Sequence, residues 1–414
     1  MTSTTKKVRD PRLDFFRGLG MFIIFVAHTP MNPLTKWIPA RFGFSDATEI
    51  FVFCSGMASA IAFGAVFDRH GWLIGAARVA HRVWQVYWAQ IVVFFVIAGL
   101  VAYLDSLAFA ERSFVDGLNL ARFFEDPATN LLGLLTLTYV PNYFDILPMY
   151  IVILAMMPLV MALAHFSPRA AIVGCLLLWA AVSQPWIAVL DVPVFQGLNL
   201  PAEPWSERTW FFNPFAWQLI FFTGFAFMRG WIPAPPVRRE LVWLSIAVVI
   251  AAFFLHHRFV LDNVPALQEA RNAIAALTTK TYFGLFRFVH FLALAYLAFV
   301  AAGVAGRNLP STGWKGQGVE IVKMVGQQSL AVFLTGLVIA RLAGVAFVIG
   351  GTGPLMVLLV NAAGFAILIL VARMTAWFKS QPWKRRPETA NALSASPRRP
   401  SDMTAPSVQV AVSS

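Results

Sequence analysis

Arg17 and His28 are the residues best placed to do chemistry, because both lie in an apolar stretch near the start of the chain. That stretch reads RLDFFRGLGMFIIFVAHTP. On an α-helix their eleven-residue separation returns both side chains to one face, roughly 16 Å apart along the axis. Asp14 falls within about 40° of the same stripe. The spacing predicts a helix face with an acid and a cation at one end and an imidazole at the other.

A histidine in such an apolar span needs an explanation, because polar groups inside a membrane are expensive. Burial disfavours the charged imidazolium of His28 and leaves a neutral ring that can accept a proton. We therefore predict that His28 lies deep in the membrane and acts as a general base. The alternative is a structural histidine that makes a hydrogen bond between helices or binds an adventitious metal ion. The residues alone leave both interpretations open.

Three polar residues precede the next apolar run, in RFGFSDATEIFVFCSG at residues 41–56. Ser45 is a suitable helix cap, and Asp46 and Glu49 then fall in the first turn. Our functional hypothesis is that Asp46 or Glu49 orients His28, or its imidazolium, from the neighbouring helix. Acids near a helix N-terminus are also favoured by the helix dipole alone, which is the competing explanation.

A pair of arginines opens a later apolar run, in ARVAHRVWQVYW at residues 77–88. Arg78 and Arg82 are four residues apart and share a helix face, next to His81. Guanidinium groups bind phosphate in a bidentate manner, so this pair is a candidate phosphate clamp. The alternative is that both arginines only mark the cytoplasmic end of a membrane helix.

Weaker signals occur at other boundaries of the apolar runs. Asp145 precedes LPMY, and Arg287 and His290 lie three residues apart in FGLFRFVHFLALAY. Three further polar residues, Gln327, Gln328 and Ser329, open another run. Together these residues predict a polar core inside an otherwise apolar bundle, and such a core is typical of a functional pathway. We expect Ser45, Asp145, Arg287 and His290 to contact substrate.

The composition identifies the elements that must position these side chains. Apolar residues make up 58% of the 414 residues and charged residues only 13%, against roughly 25% charged in soluble proteins. The core of a soluble protein of this size cannot bury so much apolar surface, so the remaining apolar surface must face lipid. Disordered, disulfide-scaffold, collagen and coiled-coil classes are excluded, and a soluble enzyme is disfavoured.

The apolar runs predict an all-α, polytopic membrane bundle of about ten transmembrane helices. They cover approximately residues 13–32, 46–66, 79–104, 146–165, 170–189, 212–229, 239–256, 285–304, 327–349 and 354–377. The stretch 130–145 is too short for a span and is interpreted as an interfacial or re-entrant segment. We divide the chain into a basic N-terminus (1–12), a transmembrane domain (13–378) and a disordered tail (379–414).

The basic residues predict the orientation of this bundle. With the N-terminus in the cytoplasm, most of the 32 lysines and arginines lie on the inner side and most of the 20 acids on the outer side. Both termini are therefore predicted to be cytoplasmic. The net charge of +12 is explained by this topology, so we expect the lipid bilayer, and no nucleic acid, as a partner. The sequence gives no signal for an oligomeric state.

Familiar motifs for resident cofactors are missing from the sequence. It contains no HExxH, no CxxC pair, no Walker or Rossmann fingerprint and no G-x-S-x-G elbow. We therefore predict no metal site and no permanently bound cofactor. Cys54 and Cys175 fall in apolar runs and are interpreted as free core residues.

Several of these segments, taken in order, resemble the OpgC family. They are RLDFFRGLGMFIIFVAHTPMNPL, RFGFSDATEIFVFCSG, DILPMYIVIL, WFFNPFAWQLIFFTG, RFVHFLALAYL and GQQSLAVFLTG. That family belongs to the acyltransferase type 3 superfamily of membrane acyltransferases. The superfamily pattern of an arginine, ten residues and a histidine falls on Arg17 and His28. Its arginine motif falls on Arg78 and Arg82, with a spacing of four residues where many members have three.

The resemblance implies a bacterial inner-membrane enzyme that adds succinyl groups to osmoregulated periplasmic glucans, with succinyl-CoA as donor substrate. Arg17, Arg78 and Arg82 would then bind the CoA phosphates, and His28 would activate a glucan hydroxyl. A dicarboxylic donor also requires a cation near its reacting end to bind the second carboxylate. Arg287 is a candidate for this cation. The competing hypotheses are a transporter or flippase for a polar solute or acyl carrier, and a passive scaffold.

Overall fold

The computed structural model describes residues 10–109, 113–183 and 198–384, and in these ranges the protein is built from helices and their connections. No strand is present among these residues, apart from one isolated bridge between Pro201 and Thr209. The α-helices are α1 Pro11–His28, α2 Ala47–Ser59, α3 Ala65–Ser106, α4 Ala121–Glu125, α5 Pro127–Leu135, α6 Ile146–Phe166, α7 Pro168–Val182, α8 Pro214–Arg229, α9 Arg239–Phe254, α10 Arg258–Asn263, α11 Pro265–Ala273, α12 Leu285–Ala302, α13 Gly313–Gln327, α14 Ser329–Gly350 and α15 Pro354–Ser380.

Capping residues set where several of these helices begin. Asp10 accepts a hydrogen bond from the backbone N–H of Arg12, and Pro11 occupies the first helical position of α1. The same pairing of a capping side chain with proline opens α7 at Ser167 and α8 at Asn213. Proline suits this position because the first backbone N–H of a helix has no partner to lose.

The second and third predicted spans are connected by helix and not by a loop. A π-helical segment, Ala60–Gly64, continues α2 into α3. Inside α3 the helix is interrupted at Gly71, whose φ of 80° and ψ of 175° are not helical. Glycine adopts a positive φ without a Cβ clash, so the chain changes direction there.

Helix α1 lies at the centre of the bundle, in contact with α2, α13 and α14. Its contact with α13 is a contact between backbones. A Cβ added at Gly18 would lie 1.9 Å from the carbonyl oxygen of Val322, and one added at Gly326 would lie 1.9 Å from that of Asp14. Small residues at both positions let the two helices approach more closely than larger side chains allow. The packing thereby fixes the position of the helix that carries Arg17 and His28.

Each of the ten predicted spans contains a helix, and the all-α fold is confirmed for the described residues. Within the part of the chain that the structure describes, five helical segments are long and apolar enough to cross a membrane: Ala47–Ser106, Ile146–Phe166, Leu285–Ala302, Ser329–Gly350 and Pro354–Ser380. Helix α7 is shorter but also apolar. The number of ten spans and the cytoplasmic termini stay predictions.

Three sequence expectations differ from the structure or lie outside it. Helix α13 was not predicted, because GWKGQGVEIVKMVGQ is too polar to resemble a span. The segment 130–145 contains the end of α5 followed by irregular chain. The N-terminus up to residue 9 and the tail from residue 385 lie outside the described residues, whereas α15 continues through Ser380, past the predicted start of the tail.

Candidate active site

His28 is the last residue of α1, so its ring lies at the end of the helix and not within it. Its side chain is half-buried, and its Nδ1 lies 2.8 Å from the carbonyl oxygen of Ile24. A carbonyl oxygen only accepts hydrogen bonds, so Nδ1 carries the proton. When the ring is neutral, the other nitrogen, Nε2, is the unprotonated one, and it makes no hydrogen bond to a described residue. This is the tautomer that a general base needs at Nε2.

Tyr143 and Arg341, which the sequence did not single out as site residues, stand next to this imidazole. The Tyr143 ring meets the His28 ring edge to face, with centroids 5.2 Å apart. The guanidinium carbon of Arg341 lies 3.8 Å from the Tyr143 ring centroid, and its Nη2 donates a hydrogen bond of 3.3 Å to the His28 carbonyl. Three elements distant in sequence therefore meet at the end of α1.

Tyr143 is held in this place by its contacts, against a strained backbone conformation. Its φ of 87° is rare for any residue with a side chain and costs of order 1–3 kcal/mol. The Tyr143 hydroxyl donates a hydrogen bond of 2.7 Å to the carbonyl of Leu337 in α14. The neighbouring carbonyl of Phe144 accepts one of 3.2 Å from Gln90 in α3. Strained residues that the surroundings hold in this way cluster at functional sites.

Asp46 and Glu49 form a network of opposite charges with cations near the start of α12. Glu49 is fully buried, and its Oε1 lies 2.5 Å from Nε of Arg287. Asp46 Oδ2 accepts from Lys280 at 2.5 Å and from Arg287 at 3.4 Å. The carboxylates thus bind these cations and do not bind the His28 ring, although the charges of Asp46 and Lys280 act on it. Their predicted role in orienting His28 stays a prediction.

The cap of α2 is Asp46, and the expectation that Ser45 caps this helix is wrong. Asp46 accepts from the backbone N–H of Thr48 at 2.7 Å, and the Asp46 N–H donates to Glu49 at 2.7 Å. This reciprocal capping box satisfies two helix-end donors. The Ser45 hydroxyl instead lies 2.7 Å from Nδ1 of His290. Both residues are buried, so Ser45 and His290 are brought together as a pair that links α2 to α12.

A second polar region surrounds Arg17, at the opposite end of α1. Nε of Arg17 is buried and has no hydrogen-bond partner among the described residues. The charges of Asp14 and Arg82 act on this guanidinium, and those of Arg17 and Arg82 act on Lys379. Arg17, Arg82 and Lys379 therefore form one cluster of cations, which we call the Arg17 cluster.

The surroundings of the Arg17 cluster are polar, as the run of Gln327, Gln328 and Ser329 suggested. Gln328 accepts a hydrogen bond of 2.6 Å from Nζ of Lys379, and Gln327 donates one of 3.1 Å to Asp14. Arg82 is half-buried and donates to Gln85 at 3.2 Å. Arg78, one helical turn away, is exposed. The structure thus places Arg82 beside Arg17, while a role for Arg78 stays a prediction.

Asp145 lies directly before α6, two residues after Tyr143, with Oδ1 buried and unpaired within the described part of the chain. Burial raises the pKa of Asp145 to about 7, although the nearby charge of Arg208 opposes this rise. A carboxyl group in this state donates or accepts a hydrogen bond near neutral pH. Its predicted role in binding substrate stays a prediction.

Both cysteines are buried and free, as the sequence predicts. Among the described residues, no group of three or more His, Cys, Asp or Glu side chains is arranged to hold a metal ion.

These features define an all-helical membrane protein with cations at one end of a central helix and an unprotonated imidazole nitrogen at the other. The profile of a protein family described as OpgC protein matches residues 9–380. The chain therefore belongs to the OpgC family, as the resemblance predicted. Comparison with the curated proteins and with the solved structures finds no match.

Membership of this family implies involvement in the modification of glucans by succinylation and suggests an acyltransferase. The wider relationship to acyltransferase type 3 enzymes stays a prediction. The five apolar helical segments are in agreement with the membrane location that the composition indicates.

The buried pair of Glu49 and Arg287 gives a prediction about stability. Glu49→Leu should leave the buried Arg287 with only its longer contact of 3.4 Å to Asp46, at a cost of up to about 3–5 kcal/mol. The double variant Glu49→Leu, Arg287→Met should recover most of this loss, because both charges are then gone. Thermal unfolding of the purified variants in detergent measures both effects. A double variant as unstable as the single one would contradict the assigned pairing.

Proposed function

We propose that this chain is an acyltransferase of the bacterial inner membrane that moves a succinyl group from succinyl-CoA to a hydroxyl of a periplasmic glucan. The bundle would cross the membrane about ten times, with both termini in the cytoplasm. The observation that carries the proposal is the arrangement of α1, which has the Arg17 cluster at one end and the base-competent His28 at the other. A reaction between an inner substrate and an outer one needs this arrangement.

The Arg17 cluster would bind the phosphates of CoA at the cytoplasmic face. Three cations, Arg17, Arg82 and Lys379, act on one another there, and like charges in proximity are stabilised by an anion. Nε of Arg17 is buried without a partner, so a phosphate oxygen would supply its missing hydrogen bond. Arg78 extends the same basic surface one turn along α3.

The acyl end of the donor would reach His28 along the bundle interior. Arg17 and His28 are separated by roughly 16 Å along α1, which is a distance that the thin pantetheine arm of CoA can span. The phosphates would stay in the cytoplasm while the thioester arrives where the glucan enters from outside. Asp145, which lies two residues after Tyr143 and has an unpaired oxygen, would contact the entering sugar.

Transfer then needs one proton acceptor. Nε2 of His28 removes the proton from a glucan hydroxyl, whose oxygen attacks the thioester carbonyl. A C–O bond forms, the C–S bond breaks, and the departing thiolate takes the proton back from the imidazolium. The hydrogen bond from Nδ1 to Ile24 fixes the ring throughout. The negative charge of Asp46 acts on this ring and would favour the imidazolium, whereas the charges of Arg341 and Lys280 oppose it.

His28→Ala should reduce succinyl transfer by about 10²- to 10⁴-fold, because it removes the general base. The assay is transfer of labelled succinyl groups from succinyl-CoA to glucan by purified protein, at matched amounts of folded enzyme. His165→Ala removes an exposed histidine of α6 and is the control. Undiminished transfer by His28→Ala would refute the role of His28. Uptake of label into vesicles without covalent transfer would instead support the transporter hypothesis.

Arg17→Gln and Lys379→Gln should each raise the KM for succinyl-CoA by about 10-fold or more, because each removes a charge-assisted hydrogen bond to phosphate. The kcat should change much less, since neither residue is near His28. Arg373→Gln neutralises an exposed cation on the same helix as Lys379 and is the matched control. An unchanged KM for both variants, or an equal change in the control, would place the phosphates elsewhere.

A further inference from the structure

Arg341 is a cation inside an apolar helix without a carboxylate partner among the described residues. It lies in the middle of α14, a helix long and apolar enough to cross a membrane. Its Nε is buried and has no hydrogen-bond partner in the described part of the chain. The protein contacts of the guanidinium are the face of Tyr143 and the carbonyl of His28. Such intramembrane cations are rare unless they have a function.

The packing of α14 shows that Arg341 is held beside His28. Gly344, three residues further on, faces Pro30, two residues after the end of α1, and an added Cβ would lie 2.7 Å from Cδ of Pro30. Helix α14 therefore approaches α1 closely just where Arg341 meets His28. Tyr143 contacts both side chains, with its ring centroid 5.2 Å from the imidazole and 3.8 Å from the guanidinium carbon. The hydrogen bond from the Tyr143 hydroxyl to Leu337 fixes that ring in turn.

Arg287, which the sequence suggested for a dicarboxylic donor, is already occupied. Its Nε lies 2.5 Å from Glu49, and its Nη2 lies 3.4 Å from Asp46. A substrate carboxylate would have to displace a buried ion pair to bind there, which is costly. Arg341 has no such competitor among the described residues and keeps N–H groups, Nε among them, for a ligand.

We propose that Arg341 binds the distal carboxylate of a dicarboxylic acyl group and so selects succinyl over uncharged acyl donors. This inference rests on the proposed function of the same site. Only two methylene groups separate the thioester carbonyl of a succinyl donor from its carboxylate. The cation that recognises this carboxylate must therefore stand next to the base that activates the acceptor, and Arg341 does so.

The physical basis of selection is the cost of a buried charge without a partner. A succinyl group neutralises Arg341 and satisfies its free N–H groups in a bidentate pair. A butyryl group has the same number of carbon atoms but a methyl group in place of the carboxylate, so it leaves the guanidinium unpaired in a desolvated site. Sites with buried polar groups reject analogues that lack the matching group much more strongly than apolar sites do.

The test compares succinyl-CoA with butyryl-CoA as donors for the full-length wild type and for Arg341→Gln. The wild type should favour succinyl-CoA by about 100-fold or more in kcat/KM. Arg341→Gln should lose succinyl transfer on the order of 30-fold or more while butyryl transfer changes less than about threefold. Arg258→Gln, which neutralises the exposed first residue of α10, is the control and should keep the wild-type ratio.

Two results would overturn the assignment. The first is an Arg341→Gln variant that keeps the wild-type preference for succinyl-CoA. The second is an equal loss of transfer with both donors, which indicates a structural role. If Arg341→Gln does not fold, Arg341→Lys keeps the cation and loses the bidentate geometry, so it should lose succinyl transfer selectively. An equal loss in Arg341→Lys would also overturn the assignment. A wild type that transfers neither group shows that the proposed function itself fails, and the inference fails with it.

Discussion

A charged group between apolar helices must find an opposite charge or a ligand, and this electrostatic requirement organises the whole bundle. At the start of α2 the requirement is met within the protein, because Asp46 and Glu49 are paired with Lys280 and Arg287. These four charges join α2 to the region before and within α12. They stabilise a rigid wall of the bundle and leave no free charge for a substrate.

At the two ends of the central helix, in contrast, two guanidinium groups keep nitrogens that are unpaired within the described residues, although the charge of Asp14 acts on Arg17. Nε of Arg17 and Nε of Arg341 are buried without hydrogen-bond partners there. The first lies among other cations and the second lies beside an unprotonated imidazole nitrogen. An acyl-CoA with a distal carboxylate carries negative charge at both of its ends and an uncharged arm between them. In our account, Arg17 binds the phosphate end of this donor and Arg341 binds its carboxylate end. The reacting carbonyl then lies next to His28.

The sequence predicts much of this arrangement, because long apolar runs and helix caps are local signals. Every predicted span contains a helix, and the stripe from Arg17 to His28 lies along one helix as the spacing required. Tyr143, Arg341 and Lys379 were missed as site residues, because their proximity to the stripe arises from packing between distant segments. The positive φ of Tyr143 and the close packing at Gly344 have no local signal in one sequence. The buried Arg287 looked like a free cation because its partners lie more than 200 residues away.

The central claim is that one coenzyme spans the distance along α1, with its phosphates at Arg17 and its acyl carbonyl at His28. A structure of the full-length protein with a bound, non-reactive thioether analogue of succinyl-CoA tests this claim most directly. We expect phosphate oxygens within hydrogen-bond distance of Arg17 and Lys379, and the acyl group within reach of Nε2 of His28. Coenzyme bound with its phosphates at the His28 end, or outside the bundle with the acyl group away from His28, would contradict the account.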